Sequence, residues 1–180
     1  MSAYASMDRH GSGSWEDAPT TRGVLYVHAC PRAVAAHVEW GLGTALGVPI
    51  RLDWADQPVA PGHLRSELVW TGDVGTASVI ASALKAFPMI RYEVTEEPVA
   101  GHPGERYAAT PNLGLFRADM GEHGDIMVSE ERLRSVLARS APAELGEMIS
   151  RLIGDPWDDE LEPFRYAQEG SSVRVLHQVV

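Results

Sequence analysis

His28 and Cys30 stand two residues apart at the end of a β-branched and aromatic run, and Pro31 follows where proline suits the first turn of a helix. On an extended strand end both side chains point to one side. A thiolate and imidazole pair is one chemistry this spacing could support, and a three-ligand metal site with His37, two turns into the helix, is another. A cysteine just before a helix N-terminus is also placed where the thiolate is favoured. Against both readings, the chain has one cysteine and no Asp or Glu at a metal-ligand spacing. The expectation is a buried small cysteine beside hydrogen-bonded histidines, with no metal, no cofactor and no assigned catalytic residue. His37 and Glu39 lie two apart on a helix, so they point to different faces and are structural.

Two glycine groupings invite comparison with phosphate-binding loops. Gly41, Gly43 and Gly47 fall within and after the first helix rather than between a strand and a helix start. Gly72-Asp73-Val74-Gly75-Thr76 does sit where a strand hands over to a helix, and its free N–H groups could hold an anion. No Lys follows at the nucleotide-binding spacing, so a turn capped by Thr76 is expected.

The elements that position these residues follow from periodicity. Val24 to His28 reads as a strand, and Val34, Val38, Leu42 and Ala45 recur at helical spacing up to Gly47-Val48-Pro49. Ile50, Leu52 and Trp54 alternate with polar neighbours as a half-buried strand would, and Leu64, Ser66, Leu68 and Trp70 repeat the pattern after Pro61-Gly62. A second helix carries Val79, Ile80, Ala83, Leu84 and Phe87 to Pro88, and Ile90, Tyr92 and Val94 alternate beyond it. Two strand–helix–strand units in tandem predict an α+β fold, a ferredoxin-like βαββαβ sandwich with both helices on one face of an antiparallel sheet. Segments 105–110, 113–118 and 126–128 extend the sheet. Ser129 caps a helix with Glu130 and Glu131 in its first turn, and a second helix runs from Pro142 to Gly154. The acidic segment after it, with Trp157, Leu161 and Phe164, packs back on the body ahead of an extended piece with Val173, Val175 and His177. The expected organisation is a disordered tail (1–22), a ferredoxin-like core (23–98), and a sheet extension with a helical C-terminal appendage (99–180) on the same domain.

Alternation then groups the candidate site. If Leu52, Leu68 and Val94 face the helices, Arg51, Asp53, Arg65, Glu67, Arg91 and Glu93 share the opposite face with Tyr26 and His28. Three arginines and three acids there suit cross-strand ion pairs, or an arginine-lined pocket that binds a carboxylate or phosphate bidentately. Trp40, Trp54 and Trp70 are expected in the core. Trp157, with Leu161 and Phe164, is a candidate anchor for a protein partner, against docking within the chain. Glu96-Glu97 and Asp158-Asp159 diverge as sequence neighbours and are expected to solubilise the surface.

Gly23-Val24-Leu25-Tyr26-Val27-His28, His37-Val38-Glu39-Trp40, Leu52-Asp53-Trp54, Arg91 to Pro98 and Trp157 to Arg165 together resemble an actinobacterial family catalogued as domain of unknown function 3145. The resemblance spans about Gly23 to the C-terminus and brings no catalytic residue or ligand. It implies a role near dissociated fatty-acid synthesis by association.

Composition bounds the function. The chain has 180 residues, 44% of them hydrophobic, a formal charge of −10, pI near 5.1 and one lysine, Lys85. Nucleic acid and anionic membranes are excluded as expected partners, because phosphate binding needs clustered Lys and Arg. One cysteine suits a reducing compartment and no apolar run is long enough to span a bilayer, so a cytoplasmic protein is expected. The expectation is a non-enzymatic accessory or regulatory binding protein. Alternatives are a sensor of an anionic metabolite at the arginine-lined face, and an enzyme using His28 with Cys30 or Glu67. A protein partner is possible on this reading, and an acidic acyl carrier protein would need a basic strip such as Arg132, Arg134 and Arg139. The oligomeric state is left open.

Overall fold

Side-chain alternation along the long strands builds the sheet, and helices cover its faces unequally. The computed structural model describes residues 19–166 and 174–176. Strand β1 (Thr20–Pro31) leads through a short 3-10 turn (Arg32–Val34) into helix α1 (Ala35–Leu46). Strands β2 (Ala55–Asp56) and β3 (His63–Asp73) precede helix α2 (Thr76–Leu84), and β4 (Arg91–Glu96), β5 (Gly104–Thr110), β6 (Gly114–Met120) and β7 (Ile126–Met127) follow. Helices α3 (Glu130–Arg139), α4 (Leu145–Ile153) and α5 (Asp155–Tyr166) come next, then β8 (Arg174–Leu176). The structure is mixed α+β. Seven strands lie in the order β2-β3-β1-β4-β5-β6-β7, each antiparallel to its neighbour, and β8 joins β3 in parallel.

On one face, Leu25, Val27, Leu68, Trp70, Val94 and Tyr107 pack against Val38, Leu42, Ile80 and Leu84 of α1 and α2. Trp70 lies so close over β1 that a Cβ on Gly23 would come within 2.3 Å of its ring, which is why a glycine stands there. On the other face, Ala108, Phe116 and Ala118 of β5 and β6 meet Trp157 and Leu161 of α5. Burying both faces over the middle strands takes roughly 25 cal/mol per Å² of apolar surface out of water, which stabilises the three-layer arrangement. Among the described residues no helix is long and apolar enough to cross a membrane.

The structure corrects several expectations. Residues 50–54 alternate but form no strand; only Ala55–Asp56 pairs with β3. The carboxylate of Glu39 in α1 takes their hydrogen bonds instead, accepting from the Leu52 N–H at 2.8 Å and the Trp54 indole at 3.2 Å. A side chain has replaced a strand neighbour. Trp40 is 73% exposed, because α1 buries Ala35, Val38, Glu39, Leu42 and Leu46 and leaves position 40 off that stripe. β1 starts at Thr20, inside the expected tail; residues 1–18 of that tail, and Val173 and His177, lie outside the described residues, whereas Val175 is in β8. The acidic segment after Gly154 is a full helix. Trp157, Leu161 and Phe164 at i, i+4 and i+7 carry its inner stripe, and Asp155 and Asp158 suit its first turn.

Glu96 is the largest departure. Expected at the surface, it is buried on the helix side, where its two oxygens accept the Gly75 and Ala77 N–H groups at 2.8 Å each. Gly75, at φ +95, turns the chain into α2, so the anion that this helix start attracts is the protein's own carboxylate. The side chain of Glu97, next in sequence, makes a surface pair with Arg22. Glu96→Ala should therefore lower unfolding free energy by about 1–3 kcal/mol, by stranding the buried Ala77 N–H and the half-buried Gly75 N–H. Glu97→Ala should cost less than about 1 kcal/mol. Urea denaturation of the two variants checks the contrast, and equal effects would contradict it.

Candidate functional site

The open face is organised by a bulge and by one carboxylate. Between Val27 and Cys30 the register of β1 slips by one residue against both β3 and β4. Tyr26 and His28 stay on the open face with their rings stacked, centroids 5.9 Å apart and 13° between planes. The extra residue turns Cys30 to the opposite, helix-side core. His28 and Cys30 thus form no pair. The thiol is closed off, donating to the Pro31 carbonyl, and burial pushes its pKa up to about 11. Glu67 is not the partner of His28 either. Glu67 stands directly across from Tyr26 on β3; burial raises both groups, and for Tyr26 the neighbouring carboxylates add to the rise.

The carboxylate beside His28 is Glu93, in the middle of β4 and directly across from Tyr26. His28 Nε2 lies 2.7 Å from its Oε2. Arg106 of β5 donates to Oε1 at 2.9 Å, and Arg165 of α5 forks onto both oxygens at 2.9 and 2.7 Å. Asp158, two turns before Arg165 on the same helix, accepts from Arg106 at 3.2 and 2.5 Å and from Arg165 at 2.5 Å. Two carboxylates and two guanidiniums balance in charge. Burial alone would raise the Glu93 carboxyl, but hydrogen bonds from His28 and Arg165 and the charge of Arg165 hold it well below the usual carboxylate range. Asp158 is lowered in the same way, against its own burial, by Arg106 and Arg165. Burial opposes the charge on both arginines, and the two carboxylates more than offset it.

Beside this network a cleft of about 360 Å³ opens, lined by Tyr26, His28, Glu93, Thr95 and Arg165. Because an ionised Glu93 accepts at Nε2, that nitrogen of His28 carries a proton and Nδ1 is left over. Nδ1 is buried and has no hydrogen-bond partner in the protein. A larger hollow of about 830 Å³ lies between the loops at 98–103 and 120–123. Its histidines, His102 and His123, are exposed. Among the described residues no group of His, Cys, Asp and Glu could hold a metal ion.

Of the residues grouped from sequence, Tyr26, His28 and Glu93 come together in the cleft and Glu67 adjoins them through Tyr26. Arg51 does not join them: with its segment outside the sheet, it pairs with Glu39 at 3.1 Å, and Asp53 belongs to the same segment. Arg65 lies on the open side of β3 with buried Nε and Nη1 that have no hydrogen-bond partner. Arg91 bonds Glu160 at 3.1 Å and sits 4.9 Å from the centre of the Phe164 ring. Trp157 and Leu161 are buried within the chain, where the indole donates to the Gly114 carbonyl at 2.9 Å and the ring tilts onto Phe116. Sequence reasoning missed Arg106, Asp158, Glu160 and Arg165. Arg106 was legible by alternation along β5, and Asp158 with Arg165 by their seven-residue spacing, had the last segment been read as a helix.

A family model described as "Protein of unknown function (DUF3145)" matches residues 24–178, and the chain belongs to that family. No curated protein and no solved structure matches it.

Removing Glu93 leaves two buried guanidiniums short of a counter-charge, so Glu93→Ala should cost about 3–5 kcal/mol. The lowered carboxyls also set a pH dependence. Unfolded Glu and Asp take up protons near pH 4 while the folded groups do not, so stability should be full above that range and fall as pH drops toward the depressed folded values. Glu93→Gln should flatten this acid limb. Denaturant titrations between pH 3 and 7 test it, and an acid limb as steep in the variant as in the wild type would refute Glu93 as its source.

Proposed function

We propose that the protein is a non-enzymatic accessory binding protein whose cleft on the open sheet face takes a small polar molecule through His28. One observation carries this reading: His28 lines a cleft, and the protein gives its buried Nδ1 no partner. Buried polar atoms in folded proteins are nearly always satisfied, so an exception on a residue that lines a cleft points to a ligand contact there. With Nε2–H held by Glu93, Nδ1 offers a lone pair, and the complementary group is an N–H or O–H donor. The anionic metabolite expected at the arginine-lined face is less well matched, because Arg91, Arg106 and Arg165 already hold Glu160, Glu93 and Asp158, and Arg65 does not line the cleft. Thr95 and the Tyr26 ring supply the remaining polar and flat walls.

The core of this reading is ferredoxin-like. The order β2-β3-β1-β4, with α1 and α2 packed on one face, supports that assignment, and β5 to β7 and α5 are additions to it. The fold implies no activity by itself. A non-enzymatic role is supported by the burial of Cys30 away from His28, which leaves the imidazole without a thiol nucleophile beside it.

The test is nitrogen-detected NMR of His28 together with a fragment set of amines, amides and alcohols at millimolar concentration. The expected outcome is a neutral ring protonated at Nε2, and at least one donor-bearing fragment that shifts the Nδ1 resonance and stabilises the protein. Its affinity should fall at least tenfold in His28→Phe, equivalent to about 1.4 kcal/mol. A ring protonated at Nδ1 alone, or fragments that never perturb His28, would sink the proposal.

A further inference from the structure

Helices α3 and α4 form a hairpin whose apolar face the described chain leaves uncovered. Among the described residues α3 buries Val136 and α4 buries none. Yet Leu145, Met148, Ile149, Leu152 and Ile153 recur at i, i+3, i+4, i+7 and i+8, which gathers them on one stripe of α4. Across the hairpin Leu137 is 60% exposed and Leu133 also faces solvent. A short helix gets most of its stability from packing its apolar face, so a stripe this one-sided calls for a neighbour.

Charge identifies the neighbour. The whole chain carries −10, but residues 129–153 hold four arginines and four glutamates. Arg134 and Arg151 pair with Glu130 and Glu147 one turn away on their own helices. Arg132, Arg139, Glu131 and Glu144 have no ion-pair partner among the described residues. An acidic partner would meet the two free glutamates as well as the two free arginines, so the strip Arg132, Arg134 and Arg139 does not act as a basic surface. A second copy fits better. About a two-fold axis each free arginine can meet a free glutamate of the other chain, and the reverse contact follows by symmetry. The hairpin itself carries no net charge, so it adds nothing to the repulsion between two chains of −10.

We propose that the α3–α4 hairpin docks a second copy of this chain, through its leucine, methionine and isoleucine stripe and reciprocal Arg–Glu pairs. Apolar burial drives the association and the ion pairs select the register. The surface is independent of the cleft, and its failure would leave the His28 reading untouched.

Sedimentation velocity of the full chain from about 1 to 300 μM tests this. The expected result is a reversible dimer, weakened at least tenfold by Leu137→Asp and by Ile149→Asp with unchanged circular dichroism, since both side chains are exposed. The double variants R132E/R139E and E131R/E144R should each dissociate alone and associate when mixed in equal amounts. A monomer throughout the range, a dimer indifferent to the two aspartate variants, or charge variants that fail to rescue one another would overturn the proposal. So would hairpin variants that leave a dimer intact and lose an acidic protein partner instead.

Discussion

A carboxylate buried under a helix must be given back the hydrogen bonds it had in water, and the open face is arranged around doing so for Glu93. Its two oxygens collect His28 from β1, Arg106 from β5 and Arg165 from α5. One side chain thereby ties α5 to the sheet, holds the proton on Nε2 of His28 and forms part of the wall of the cleft. Such a cluster adds little net stability over a well-packed apolar one, because desolvation offsets most of the attraction. What it adds is selectivity among packings, since a slipped or rotated α5 would leave charges buried without partners.

Glu96, three residues on, solves the same problem on the other face with no cation at all, using the N–H groups at the start of α2. Successive odd and even positions of β4 thus serve opposite layers. The acidic excess of the chain is in part structural: Glu39, Glu93 and Glu96 each hold a neighbouring element rather than solubilise a surface. On the open face Glu93, Asp158 and Glu160 pair with Arg91, Arg106 and Arg165, which leaves those three guanidiniums little free positive charge.

Helix α5 joins the parts on which function is proposed to rest. Its start follows directly from α4 at Gly154, which is held at φ +96 and pressed against the Phe116 ring, and its last turn places Arg165 in the cleft. Between these ends Trp157 and Leu161 fill the second core. The hairpin and the cleft therefore share one rigid support, although their chemistries differ.

Much of this was legible in the residues themselves. Alternation along β1, β3 and β4 gave the sheet, and it also put Tyr26, His28 and Glu93 on one face, because side chains of a strand alternate with a period of two. It failed at 50–54, whose alternation is as regular, because a glutamate from α1 took the hydrogen bonds that a strand neighbour needs. It failed again at Cys30, because a bulge depends on how the neighbouring strands fit and leaves no mark in composition. Sequence neighbours such as Glu96 and Glu97 can be known to diverge, but which one is buried depends on where α2 begins. The pairing of Glu93 with Arg165 joins residues 72 apart. Local periodicity is written in adjacent residues and could be read directly; the partner of a buried charge is set only when folding removes the water that would otherwise have served.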